Sequence, residues 1–502
     1  MVPAAGSTDR NPELRIAALV TTAMAWLAAA PPLAAQGAAT LPLEDCRIRA
    51  GEGFPGIKAR CATFERPLNP EAPGDGTITL FVAVVPALSL EPQPDPFVPI
   101  AGGPGQASTE FYASYAQAFE DVRRNRDILL VDQRGTGRSA PMTCEADEEL
   151  IEGRYSREQT IEQAQKCLDE LPHDPRFFTT SVAVSDLEAL RQALGYPQLN
   201  LYGISYGSRV AQHYLRRHPE TTRTVVLDGV VAPQIALGPG IAIEAQNALD
   251  AIIDRCAEDE HCSERFPDLR TTFDTMIASL RNDAVTVRLP HPLTAKPDEI
   301  RFSDAELAGA VRLLSYHPSS IALLPLLISE AASGNYAPLA AQFLMIAENM
   351  SESLSIGMHN AVVCTEDAPY FETAEVTADA LDATYIGPLQ LDALDAICSV
   401  WPEGVLDPEF KMPVQTDVPV LLLSGEADPI TPPAYADLAA VDFGNARHLV
   451  GERQGHGLAP RGCVPDIIGD FVATADVETL EADCMRRLHA MPFFLDFAGP
   501  AP

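Results

Sequence analysis

The chain has 502 residues, a hydrophobic content of 46%, a charged content of 21% and a formal net charge of −35. This length allows one large core or several domains. The excess negative charge excludes nucleic acid and anionic membrane surfaces as partners, because both would repel it.

At the N-terminus, Arg10 and Arg15 precede an uncharged apolar run, Ile16 to Ala30, and the small residues Pro31-Pro32-Leu33-Ala34-Ala35 follow. The pattern predicts a secretory signal peptide over residues 1–35, with an uncleaved anchor as the alternative. The first cysteine, Cys46, is too distant for lipid attachment to that run. No later segment is long and apolar enough to cross a bilayer, so no stable membrane span is expected after signal cleavage. The expected location is secreted or periplasmic. Ten cysteines fit an oxidising compartment. Nearest-neighbour pairing joins Cys46 to Cys61, Cys144 to Cys167, Cys256 to Cys262, Cys364 to Cys398 and Cys463 to Cys484. Metal binding is the competing role, but there is no CxxC and no paired His–Cys knuckle. No metal and no cofactor is expected.

After a Pro-rich, irregular N-terminal stretch, strands are predicted at 78–85, 97–100 and 126–132, the last apolar at its centre as a strand buried on both faces should be. A helix follows at 181–194, then the apolar run Leu199-Asn200-Leu201-Tyr202, a helix-like segment at 208–215 and a strand at 224–228. Alternating strands and helices indicate a mostly parallel α/β sheet with helices on both faces, whose first part spans 40–232. From 233 to 400 the chain reads as mainly helical, at 241–256, 267–281, 303–314, 321–333 and 337–350. The sheet pattern resumes within 401–495, at 418–423 and 447–450. The helical stretch is therefore expected to be an insertion lying over the sheet's C-terminal edge as a lid.

Gly203-Ile204-Ser205-Tyr206-Gly207 joins strand to helix, and this context turns a bare GxSxG into a nucleophile elbow. The glycines remove Cβ atoms where the turn is tightest, lifting the Ser205 hydroxyl towards a base. Serine needs a histidine and an orienting carboxylate, in the chain order Ser, acid, His. The strand at 418–423 runs into Ser424-Gly425-Glu426-Ala427-Asp428-Pro429-Ile430-Thr431-Pro432. Asp428 and Glu426 both qualify; the Asp-Pro turn favours Asp428, whose bland role would be to cap the next helix. Among the later histidines, His448 lies within a strand and His489 near the chain end. His456, between Gly455 and Gly457 in a loop, has the exposure a general base requires. The oxyanion donors expected are the backbone N–H of Tyr206 and one from the loop 102–105, most plausibly Gly103. A phosphate cradle is the other use of such a loop, but no Lys-Ser/Thr follows it.

Ala-Gly-Gly-Pro-Gly (101–105), Val-Asp-Gln-Arg-Gly-Thr-Gly-Arg-Ser (131–139), the elbow (203–207), Gly-Glu-Ala-Asp-Pro-Ile-Thr-Pro (425–432) and Gly-His-Gly (455–457) occur in this order. Together they resemble the exported tripeptidyl aminopeptidases, of the proline-iminopeptidase branch of the α/β-hydrolases. The resemblance covers roughly residues 45 to 490. It implies the α/β-hydrolase fold, a triad of Ser205, Asp428 and His456, and a helical cap that restricts the substrate's N-terminal side. It also implies that Arg134 and Arg138 brace the loop after the third strand. The family's usual histidine before the two glycines is Ala101 here, a departure that leaves the backbone donor intact. Exopeptidases of this kind hold the substrate's α-amine with an acid; Glu366, in Cys364-Thr365-Glu366-Asp367, is the candidate, against a lid-bracing role.

The expected function is an exported serine hydrolase releasing short N-terminal peptides, tripeptidyl or prolyl in type, through an acyl-enzyme. An esterase on small or lipid-like esters is the alternative within the same chemistry, and a non-catalytic binding protein the alternative outside it. The expected partner is a peptide or small ester substrate. Serine at the elbow excludes an aspartate-nucleophile dehalogenase or epoxide hydrolase.

Overall fold

The computed structural model describes residues 41–51, 53–144 and 156–500; the expected signal peptide, 1–35, lies outside them. Its main sheet is built from β1 (Glu44–Ile48), β2 (Ile57–Pro67), β3 (Thr77–Val85), β4 (Phe97–Ile100), β5 (Ile128–Val131), β6 (Leu199–Ile204) and β7 (Thr222–Asp228). A separate antiparallel hairpin, β8 (Val285–Pro290) and β9 (Pro297–Phe302), intervenes before β10 (Val420–Gly425) and β11 (Ala446–Gly451) complete the sheet. The nine strands run in the order β1-β2-β3-β5-β4-β6-β7-β10-β11. Pairing is antiparallel from β1 through β3 to β5, and parallel from β5 across to β11. From β4 the chain crosses to β5 on one side, then returns to β6 on the other. Loops at the C-terminal ends of these two strands therefore diverge and leave a crevice, the usual ligand position in open α/β sheets.

Alternation along the strands divides the core into two layers. Leu80, Val82 and Val84 pack with Val184, Leu187 and Leu190 of the helix Thr180–Leu194 and with Val210 and Tyr214 of the helix Tyr206–Arg217. Phe81, Ala83 and Val85 face the helices Ser108–Tyr115 and Val464–Thr474, through Phe111, Tyr112, Ile468 and Phe471. β4 and β5 bury nearly every side chain, and each such Val, Leu, Ile or Phe contributes about 1.5–3 kcal/mol. Each cysteine is bonded to its sequence neighbour, in the five pairs expected.

Several elements depart from expectation. The stretch read as irregular before residue 77 holds β1 and β2. Lys58, Arg60 and Glu65 of β2 are exposed because the strand lies towards the antiparallel edge of the sheet, which meets water. The insertion contains the β8–β9 hairpin. Most of the insertion builds its own core, with Leu249, Phe273, Phe302 and Leu327 fully buried. The helix Ile356–Glu366 behaves differently: Met358, Ala361 and Val362 join the core of the main sheet. Arg134 is fully buried and forms a fork with Asp186 (Nε to Oδ2 2.7 Å, Nη2 to Oδ1 2.9 Å). It also donates to the carbonyls of Leu68 and Phe177, which ties the loop after β5 to its neighbours.

Candidate active site

Ser205 stands between β6 and the helix Tyr206–Arg217 with φ 55° and ψ −127°, a conformation that costs a non-glycine residue about 1–3 kcal/mol. The flanking glycines make that turn possible. A Cβ on Gly203 would lie 2.2 Å from the Gly207 carbonyl oxygen, and one on Gly207 would lie 2.3 Å from that of Ile100. The Ser205 N–H donates to the Asp228 carbonyl at 2.9 Å, fixing the elbow to the end of β7. Tyr206 opens the helix, so its N–H is one of the first-turn donors without an intrahelical acceptor. The loop 102–105 abuts the serine: a Cβ on Gly102 would stand 2.9 Å from Ser205 Cβ and 3.5 Å from Oγ. Gly103, the expected second oxyanion donor, follows at φ 106°.

The acid and the imidazole come from the next two parallel strands. Asp428, beyond β10, has a fully buried carboxylate, and its Oδ2 is 2.7 Å from His456 Nδ1. The loop after β10 shapes this acid locally. Asp428 Oδ1 accepts the N–H groups of Ile430 and Thr431 (3.0 and 2.9 Å), an Asx turn, while the Thr431 hydroxyl donates to Oδ2 at 2.8 Å. Burial pulls the His456 pKa down, but the Asp428 carboxylate outweighs it, with Asp228 adding, so the net displacement is upward. The imidazole therefore holds a proton more readily than an ordinary histidine. Among the described residues no hydrogen bond joins the Ser205 hydroxyl to this imidazole. Both border the Asp228–Gly229 corner, where a Cβ on Gly229 would lie 2.8 Å from His456 Cε1. Catalytic contacts often tighten only with substrate bound. The insertion also reaches this histidine: the Tyr316 carbonyl accepts the His456 backbone N–H at 2.8 Å, and the two rings meet edge to face at 5.2 Å.

The other candidates lie elsewhere. Glu426 accepts the Arg453 N–H at 2.8 Å, away from the imidazole. His448 spans Asp437 and Ser424, each at 2.9 Å. Glu366 is 0% exposed; its Oε1 accepts the Thr180 N–H at 2.7 Å and its Oε2 the Thr180 hydroxyl at 2.9 Å. An amine could reach it only by displacing Thr180. Thr180 in turn lies 2.6 Å from the Tyr206 hydroxyl, so this carboxylate braces the elbow from behind. Among the described residues, no group of three or more His, Cys, Asp or Glu side chains could hold a metal ion.

Residues missed in the sequence include Thr431, Asp228 and Glu244. Thr431 was legible in principle, three residues after Asp428 in a turn-forming Asp-Pro-Ile-Thr run. Glu244, in the first turn of the helix Ile241–Glu258, is half-buried; burial raises its pKa, and the nearby Asp428 charge raises it further. It therefore places a second acid within electrostatic reach of Asp428.

Residues 95–248 match the family described as alpha/beta hydrolase fold, and residues 383–484 match the family described as TAP-like protein. The chain is 26% identical over 394 residues to the putative hydrolase YuaR of Escherichia coli (strain K12), an alignment covering 74% of this chain and 76% of that one. It is 26% identical over 374 residues to the serine protease Hip1 of Mycobacterium tuberculosis (strain ATCC 25618 / H37Rv), covering 67% and 71%. It is 25% identical over 432 residues to the tripeptidyl aminopeptidase of Streptomyces coelicolor, covering 78% and 76%. Elbow, parallel sheet and both family matches concur, and the chain is a serine hydrolase of the α/β-hydrolase fold with a TAP-like C-terminal region.

Proposed function

We propose that this chain is an exported aminopeptidase that removes short N-terminal fragments, tripeptidyl or prolyl in type, through an acyl-enzyme on Ser205. The observation that carries this reading is the 2.7 Å bond between His456 Nδ1 and Asp428 Oδ2 beside a strained elbow serine. His456 Nε2 takes the Ser205 proton as Oγ bonds to the scissile carbonyl carbon. Asp428 balances the imidazolium, and the backbone N–H groups of Tyr206 and Gly103 receive the oxyanion. The imidazolium then gives its proton to the departing amine, and water repeats the sequence to free the acid. The relatives named serine protease and tripeptidyl aminopeptidase support a peptide substrate. The insertion, 233–400, serves as the lid that limits how much substrate lies on the N-terminal side. Five disulfides support an oxidising, extracytoplasmic compartment. Among the described residues no helix is long and apolar enough to cross a membrane.

For the substrate's ammonium, Glu244 suits better than Glu366, because it is half-buried rather than sealed. The test is a panel of chromogenic tripeptide amides, free and N-blocked, beside p-nitrophenyl esters. Free amides should be the preferred substrates, and Glu244→Gln should raise KM about tenfold for them, a loss of about 1.4 kcal/mol, while leaving esters unaffected. Equal turnover of free and blocked amides would end the exopeptidase reading, and turnover of esters alone would make the enzyme an esterase.

A further inference from the structure

Asp228 ends β7 with 0% exposure and takes no part in the charge transfer described above. Its main chain and its side chain serve two different parts of the site. The backbone carbonyl accepts the Ser205 N–H at 2.9 Å. The carboxylate gathers the loop that carries the base: Oδ1 accepts the Leu458 N–H at 2.8 Å, and Oδ2 accepts the Ala459 N–H at 2.8 Å. Oδ2 also accepts the Tyr202 hydroxyl, from β6, at 2.8 Å. Leu458 follows His456 by two residues, so these bonds fix where the imidazole sits. The next residue, Gly229, donates to Leu423 of β10 at 2.9 Å and passes beneath the imidazole at φ 60°. One residue thus links the nucleophile's strand, its amide and the base loop, and its neighbour adds the acid's strand.

We propose that Asp228 is a positioning residue: it sets the separation of Ser205 from His456, and its charge, behind that of Asp428, favours the imidazolium formed during acylation. The inference rests on the assignment of Ser205 and His456 proposed above. The charge lies in a specific setting. Tyr115, from the helix Ser108–Tyr115, and Arg461 face Asp228, and burial displaces the Asp228 pKa upward while its hydrogen bonds from Leu458, Ala459 and Tyr202 oppose that. The imidazole is faced by Asp428 and Thr431 from the loop after β10, and by Tyr316 and Arg312 from the insertion. His317, also from the insertion, lies within electrostatic reach of it. Arg312 opposes the imidazolium, whereas Asp228 favours it.

The experiment compares wild type with Asp228→Asn and Tyr202→Phe. Each is assayed for thermal melting, for kcat and KM, and for the rate at which a fluorophosphonate phosphonylates Ser205, with loss of fluoride, as a function of pH. Asparagine keeps the size of Asp228 but turns an NH2 towards an amide that had an acceptor. The phosphonylation rate and kcat should fall at least about tenfold, as small misplacements of reacting groups do, with KM within about twofold. Removing a negative charge also lowers the imidazole's pKa, so the acid limb of the pH profile should move to lower pH. Tyr202→Phe removes a donor but leaves the charge; its rate should fall less and its acid limb should stay in place. A folded Asp228→Asn variant with wild-type rate and an unmoved acid limb would overturn the proposal. Should that variant fail to fold, Tyr202→Phe decides: a wild-type rate overturns it, and a reduced rate supports it. Labelling of Ser205→Ala by the same probe at another residue would instead overturn the assignment of the nucleophile.

Discussion

Glu366 has no exposed surface, yet it reaches the elbow through two side chains. The Thr180 hydroxyl donates to its Oε2, so Thr180 must accept from the Tyr206 hydroxyl, which accepts in turn from Gln133 Nε2 at 3.0 Å. The chain of donors runs towards the carboxylate and is consistent only while Glu366 can accept. Burial pushes the Glu366 pKa up to about 7 against the pull of Arg209. The folded value therefore lies above the unfolded one. Glu366 contributes stability that is fully present below its ordinary value of 4.5 and is lost as pH rises through about 7. Glutamine at 366 does not titrate. The melting temperature of wild type should therefore fall relative to that of Glu366→Gln between these two pH values, and a gap that widens in favour of wild type would refute the account. Above about pH 7, where Glu366 is a carboxylate, the glutamine NH2 would donate where that carboxylate accepts, so Glu366→Gln should there lower kcat several-fold with little change in KM, as measured on the free tripeptide amides. At this scale the candidate residues Ser205, Asp428 and His456 could be named from the sequence because each sits in a motif with its own turn chemistry. Asp228 was not: an aspartate closing an apolar strand carries no local signal, and its partners at 202, 205, 458 and 459 meet only in the fold.

The helix Ile356–Glu366 connects the loop beside the serine to this buried acid. Ser355, just before it, donates its N–H to the Gly105 carbonyl at 3.0 Å, and His359 Nδ1 lies 3.2 Å from the Pro104 carbonyl. At its other end the Cys364–Cys398 disulfide ties it to the helix Leu389–Cys398. It escaped the sequence reading because it is buried almost all round, so no 3.6-residue stripe of apolar residues appears. The hairpin β8–β9 escaped for the opposite reason. Its alternation is present, with Val287, Leu289, Ile300 and Phe302 buried, but each strand is short and carries a proline at its turn end, Pro290 and Pro297. The strands of the parallel core were legible because each is a short, continuous apolar run between turn residues. The Cys364–Cys398 bridge closes 34 residues, worth about 3–4 kcal/mol on the chain-entropy model, against about 2 kcal/mol for the 6 residues closed by Cys256–Cys262. Replacing both cysteines of the first pair by serine should thus lower the melting temperature more than replacing both of the second. It should also reduce kcat, since the helix abuts the loop 102–105. Equal losses in calorimetry, with kcat untouched, would disprove the helix's role as a strut.

Over the whole molecule, the alternation of strands and helices made the parallel α/β sheet legible, whereas the crossing from β4 to β5 and back to β6, which opens the crevice, emerges only from the strand order. What remained hidden was how the insertion engages the core, because contacts such as His456 N–H to the Tyr316 carbonyl join segments about 140 residues apart. Charge acts at the same scale. With 70 acidic and 35 basic residues the folded chain carries −35 at neutral pH, and its isoelectric point lies near 4.5. The ion pairs Arg134–Asp186 and Arg209–Asp367 are buried, where dissolved salt screens them little. Among the described residues most other acidic side chains are not buried, and their repulsion acts over a Debye length of about 30 Å at 0.01 M salt and about 8 Å at 0.15 M. Salt should therefore relieve more repulsion than it weakens attraction. The melting temperature at neutral pH should rise between those two salt concentrations, and the rise should shrink towards the isoelectric point, where the net charge vanishes. A fall in melting temperature with added salt at neutral pH would mean instead that attractive pairs at the surface outweigh the excess of like charge.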